Sequence, residues 1–111
     1  MKTRLTALAT ACAIGLTPLA AAASGEVNIY SYRQEFLLKP LLDAFTDETG
    51  IETNVVFAKK GLAERLDREG RNSPADVVMT VDISRISELV ERDLTAAVDN
   101  DTLAANIPEN L

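Results

Sequence analysis

Tyr32, Arg33 and Gln34 follow the alternating run Val27-Asn28-Ile29-Tyr30-Ser31 and stand immediately before a long apolar helical pattern. In an open parallel sheet, ligands bind beyond the carboxyl ends of the strands, where helix N-termini also point. Free backbone N–H groups there, joined by a planar guanidinium, suit an oxyanion such as carboxylate or carbonate. Arg33 is therefore a candidate anion contact, and its plain alternative is a surface arginine paired with Glu35 or a nearby acid. Gln34 is either a helix-start residue or a second anion-contacting amide. Tyr30 and Tyr32 are two apart on a strand and should share a face. A phenolate can ligate a hard cation, but a strand tyrosine more commonly packs in a core or covers an edge. Asp82 stands just before a helical pattern, where an N-cap role is sufficient; lining the same cleft is the functional alternative for it and for Thr80. Lys59-Lys60-Gly61 could form the rim of an anion site or be solvated.

Other chemistries are excluded. The chain has no histidine, which rules out imidazole acid–base catalysis and imidazole zinc ligation within it. It contains no glycine-rich phosphate loop, serine nucleophile elbow or Cys/His cluster, so no motif supports an enzyme.

The elements that must position these residues are legible from period changes. Val27 to Ser31, Ile51 to Ala58 and Asp76 to Val81 read as strands, the last apolar on both faces, as in a parallel sheet covered by helices on each side. Leu37, Leu38, Leu41, Leu42 and Phe45 form the stripe of a first helix that Gly50 ends. Pro40 is costly in a helix interior, which places the start between Glu35 and Lys39. A short second helix carries Leu62 and Leu66, and Arg71-Asn72-Ser73-Pro74 forms its exit loop. A third has Ile83, Ile86, Leu89 and Val90 inward, with Arg85, Glu88, Glu91 and Arg92 toward water. The fold class is α/β, a parallel β-sheet with flanking helices in the order βαβαβα and right-handed crossovers. After Leu94 the pattern weakens, and Asp99 to Leu111 is a polar tail without a further strand.

The N-terminus bears on localisation. Lys2 and Arg4 precede an apolar stretch from Leu5 to Leu16, followed by Pro18 and Ala20 to Ala23. This reads as a secretory signal peptide over residues 1–23, cleaved before Ser24; its core is short of the roughly 20 residues that span a bilayer. Cys12 lies within it and lacks the preceding leucine of a lipoprotein site, so a mature chain of residues 24–111 has no cysteine and must rely on packing. Losing Lys2 and Arg4 takes the 11 basic and 17 acidic residues to 9 and 17, and the net charge from −6 to −8. Nucleic acid is a poor partner for such a surface. Stable membrane insertion is not expected either.

The segments "VNIYSYRQEF", "LLDAFTDETGIETNVVF" and "NSPADVVMTVDISRISELVERDL" resemble the N-terminal lobe of bacterial periplasmic ferric-iron-binding proteins, the solute-binding receptors of ABC importers. The "Phe-x-x-Glu-Thr-Gly-Ile" helix end and "Pro-Ala-Asp-Val" strand entry are common to many periplasmic receptors of this fold; "Tyr-Ser-Tyr-Arg-Gln" with "Thr-Val-Asp" points to the iron group. The resemblance implies a partial N-lobe of a periplasmic binding protein-like II fold over residues 24–111, with a second lobe absent. It implies Fe(III) closed between two lobes in the full-length protein, an inner-membrane ABC permease as partner, a monomer, a periplasmic location and no enzymatic activity. Arg33 matches an arginine that, in one subgroup, holds a synergistic carbonate. Other subgroups carry a histidine near Gln34, a tyrosine at the Glu35 position or a glutamate near Val81, and none is present here. The expected set is therefore Arg33 and Gln34 on carbonate, Tyr32, Thr80 and Asp82 as cleft lining, and no metal ligand in this segment. The fragment alone is expected to be marginally stable and to hold no iron tightly. A receptor for a small organic or phosphonate anion on the same fold is the alternative, and a flavodoxin-like enzyme or signalling domain a more distant one.

Overall fold

The computed structural model describes residues 25–110; the expected signal peptide lies outside them. Three strands form one parallel sheet: β1 (Glu26–Ser31), β2 (Glu52–Phe57) and β3 (Val77–Met79). Their order is β2-β1-β3, which puts β1 in the middle and leaves β3 at an edge. The helices α1 (Glu35–Thr49), α2 (Leu62–Glu69) and α3 (Ile83–Glu91) follow the strands in turn. The chain thus crosses from β1 to β2 in one direction and from β2 past β1 to β3 in the other. Crossovers of one hand then place α1 and α2 on opposite faces.

The side chains of β1 show this division. Ile29 packs with Leu38 and Leu42 of α1. Tyr30 and Tyr32 point the other way, into a cluster with Leu62, Ala63 and Leu66 of α2 and Leu89 of α3. Strand alternation thus feeds two small cores from one strand. Ser31 is the buried polar residue of β1, and its hydroxyl is satisfied within the turn that follows.

Gly50 closes α1 at φ 73°, in the left-handed region, and its N–H returns to the Thr46 carbonyl at 2.8 Å. A side chain there would meet the steric cost that glycine lacks. α1 starts at Glu35, the early end of the expected range, so Pro40 falls inside the helix. It removes one backbone donor from the second turn.

Other details depart from the sequence reading. Of the α1 stripe, Leu38 and Leu42 are buried, while Leu37 and Leu41 are exposed and Phe45 is only partly covered. In α3 only Leu89 is buried; Ile83, Ile86 and Val90 face outward. Arg92 does not simply face water, because it gathers Glu64 and Asp67 of α2 and Glu88 of its own helix. The tail contains a further helix, α4 (Asp101–Asn106), whose N-cap Asn100 accepts the N–H groups of Thr102 and Leu103.

Candidate anion site at the carboxyl edge of the sheet

The sheet edge where β1 gives way to α1 is built by Ser31. Its hydroxyl donates to the Arg33 carbonyl at 2.7 Å and accepts the Arg33 N–H at 2.9 Å. This turn, in which a serine hydroxyl replaces a backbone partner, fixes the Arg33 main chain while its side chain stays exposed. Gln34 is the N-cap of α1 in extended conformation, and its side chain makes no capping bond. The amide is left available at the first helical turn, where the Leu37 N–H is taken by the Gln34 carbonyl at 3.1 Å and the N–H groups before it have no partner within the helix.

Arg33 and Gln34 line an open hollow of about 340 Å³ together with Tyr32, Leu37, Phe57, Lys59 and Val81. No carboxylate lines it. Among the described residues, Arg33 forms no ion pair within 4.0 Å, so the expected alternative pairing with Glu35 does not occur. Glu35 instead lines a separate groove between α1 and β2 with Lys39, Asp43 and Asp47.

Tyr32 touches the hollow but is not free to reach into it. It is buried, its hydroxyl accepts the backbone N–H of Ala63 at 3.3 Å, and the Arg85 guanidinium lies over its ring at 4.2 Å. The geometry is that of a core tyrosine capping the first turn of α2. Thr80 and Asp82 do not line the hollow; Val81 between them does. Asp82 is the N-cap of α3, accepting the Arg85 N–H at 2.9 Å, and Thr80 donates to the Asp82 carbonyl at 3.2 Å. Both polar groups serve the turn into α3, the N-cap role that the sequence reading found sufficient for Asp82.

Lys59, named from the sequence as part of a possible anion-site rim with solvation as its alternative, lines the hollow. Ser31 was weakly signalled, visible only as a strand-terminal serine two residues before Arg33.

A second polar cluster lies on the opposite side of the β1 backbone from Ser31. The Tyr30 hydroxyl donates to the Glu69 carboxylate, 2.9 Å from each oxygen; Arg65 Nε and Ser73 Oγ donate to it at 2.7 and 2.8 Å. Arg65 also lies over the Tyr30 ring at 4.5 Å. Arg65 holds the Glu69 carboxyl below its ordinary range, with Ser73 and Tyr30 adding to the effect. Burial, and then the bond to Glu69, pushes the Tyr30 phenol up. Every polar group here is paired with another, so the cluster fastens α2 to the sheet.

Among the described residues no group of three or more acidic or cysteine side chains is placed to hold a metal ion. No helix among them is long and apolar enough to cross a membrane.

No protein-family model matches the chain. Individual proteins do. Iron uptake protein A1 of Synechocystis is 41% identical over 87 residues, which is 78% of this chain and 24% of that protein. The Fe(3+)-binding periplasmic protein of Serratia marcescens is 32% identical over 103 residues, or 92% of this chain and 30% of its own length. The crystal structure of Mannheimia haemolytica ferric iron-binding protein A in an open conformation superposes with a TM-score of 0.73 at 52% identity, covering 76% of this chain and 27% of that one. This chain is similar to part of the ferric-iron-binding proteins. It spans 24% to 30% of the length of these relatives. Its three-stranded parallel sheet and flanking helices are a portion of the periplasmic binding protein type II fold that the ferric-iron-binding proteins adopt.

Proposed function

We propose that residues 24–111, behind a signal peptide at 1–23, form the N-terminal lobe of a periplasmic receptor that binds Fe(III) and passes it to an inner-membrane ABC permease. In this reading the lobe supplies the anion side of the site and a second lobe supplies the metal ligands. Arg33 and Gln34 hold a synergistic carbonate that completes the iron's coordination. The work of the lobe is binding rather than catalysis, and the receptor acts as a monomer.

The observation that supports this most directly is Arg33 itself. A guanidinium without an ion-pair partner among the described residues stands at the carboxyl edge of a parallel sheet, beside a helix N-terminus whose N-cap side chain is also unused. Ferric iron is a hard cation that prefers oxygen donors, and an arginine both neutralises the anion and fixes its plane. The names of the relatives give iron as the cargo of those proteins. The exposed apolar residues Leu37, Phe57 and Val81 around the hollow suit a surface that another part of a larger receptor covers.

The test is iron retention by the receptor carrying this lobe, with and without Arg33→Ala, in bicarbonate and in bicarbonate-free buffer. The variant should lose iron faster in bicarbonate, where the carbonate contact operates, and differ less without it. An equal loss in both buffers argues against the carbonate role.

A further inference from the structure

We propose that Arg85 is a positioning residue for the receptor: lying over the Tyr32 ring, it holds the start of α3 against the end of β1 and thereby fixes Arg33 where the carbonate is met. This deepens the proposed function and rests on its placement of carbonate at Arg33. Arg85 itself does not line the hollow.

The cap of α3 aims this side chain. Asp82 Oδ1 accepts the Arg85 N–H at 2.9 Å, and Oδ2 lies 3.7 Å from Arg85 Nε. The second distance is too long for a hydrogen bond. The Tyr32 ring, whose centre is 4.2 Å from the guanidinium carbon, is the surface on which the side chain comes to rest. Arg85 is partly covered there, so the attraction of a cation for a ring face counts for more than at an open surface.

The first turn of α3 needs such a hold. Leu89, near the other end, is the buried residue of the helix. Ile83 is 82% exposed and Ile86 50%, so neither fastens the start. Tyr32, by contrast, is where the neighbouring elements converge: its N–H donates to the Met79 carbonyl of β3 at 3.0 Å, and its hydroxyl accepts the Ala63 N–H of α2 at 3.3 Å. Its neighbour in the chain is Arg33, whose main chain Ser31 holds. The Arg85 contact closes a ring of connections that runs from Tyr32 through Arg85 to Asp82, and back through Val81, which lines the hollow with Arg33. Both walls of the site are thereby tied to one aromatic side chain.

Arg65, which lies over Tyr30 on the same face of β1, makes the matching contact without this consequence. Its Nε donates to Glu69 at 2.7 Å, and Glu69 also takes the Tyr30 hydroxyl. That contact closes between α2 and β1, and none of its members lines the hollow. The two arginines therefore pair the same chemistry with different positions, and only Arg85 acts next to Arg33.

The receptor carrying this lobe is loaded with Fe(III), and iron release in bicarbonate buffer is compared for the native protein, Arg85→Ala, Arg85→Lys, Arg33→Ala and the double variant Arg33→Ala/Arg85→Ala. Arg85→Ala should release iron about fivefold faster, the order of one cation–π contact. Arg85→Lys keeps a cation over the ring and should recover part of the loss. The effect of Arg85→Ala should vanish in the Arg33→Ala background, because groups that act through one contact are not additive. Arg65→Ala should lower the unfolding midpoint and leave release unchanged. In the ¹⁵N-labelled full chain, Arg85→Ala should speed hydrogen exchange at the Tyr32, Arg33 and Ala63 N–H groups, with the β1–β2 pairs exchanging as in the native chain. Release unchanged by Arg85→Ala, or accelerated equally with and without Arg33, overturns the inference and leaves the Arg33 site standing. Release indifferent to Arg33→Ala overturns both.

Discussion

The Tyr32 hydroxyl accepts the backbone N–H of Ala63 at 3.3 Å and thereby ties the end of β1 to the first turn of α2. Both residues are buried. Tyr32→Phe should therefore strand a buried donor, at a cost of about 1–3 kcal/mol. The Arg85 guanidinium can keep its position, since phenylalanine presents the same ring face. Urea unfolding of the variant measures the loss. Unchanged stability accompanied by loss of iron from the larger receptor would instead mark Tyr32 as a ligand.

Leu41 and Leu42 are adjacent in α1 and equal in helix propensity, but Leu42 is 8% exposed and Leu41 62%. Leu42 packs with Ile29 and Leu38 against the sheet. Leu42→Ala should cost about 2–5 kcal/mol through lost burial and the cavity left behind. Leu41→Ala should stay within about 0.5 kcal/mol in this chain. Denaturant midpoints of the two variants measured side by side test the division, and equal losses would contradict it.

β3 is three residues long and lies at the edge of the sheet, with Val77 41% exposed. An apolar edge with unpaired backbone groups templates further pairing. The isolated chain should self-associate as its concentration rises, and Val77→Lys should reduce that association. Sedimentation velocity across a concentration series reads both. Association indifferent to Val77→Lys would move the contact elsewhere, to faces such as that of Ile83, Ile86 and Val90.

The join at Tyr32-Arg33-Gln34 could be found in the sequence because the hydrophobic period changes there from that of a strand to that of a helix. Lys59 could not be placed beside Arg33 in the same way. Their proximity depends on a 26-residue register between β1 and β2, and neither strand's own pattern specifies its partner or the order β2-β1-β3. The α1 stripe showed that the helix is amphipathic, but Leu37 and Leu41 share that stripe with Leu38 and Leu42; burial depends on what lies against each side. α4 did carry a local signal, Asn100 followed by Asp101 at a helix start. The polar character of the tail obscured it. The Tyr30–Glu69 contact joins residues 39 apart and had no local signal.

That contact predicts how stability varies with pH. Glu69 is held below its ordinary range chiefly by Arg65, so its contribution is present above the unfolded glutamate value of about 4.3. It is lost as pH falls below that value and through the depressed folded one. Tyr30 is shifted upward by burial and then by Glu69. Its contribution is fully present below the unfolded tyrosine value of about 10 and is lost as pH rises through the folded one. The stability difference between the native chain and Glu69→Gln should therefore be flat at neutral pH and shrink below about 4.3. The difference from Tyr30→Phe should be flat over the same neutral range and shrink above about 10. Urea unfolding of the three proteins across pH separates the two limbs. The chain has no imidazole to titrate between them, so a difference that changes near pH 7 would mean that the cluster is not held by this carboxylate and this phenol.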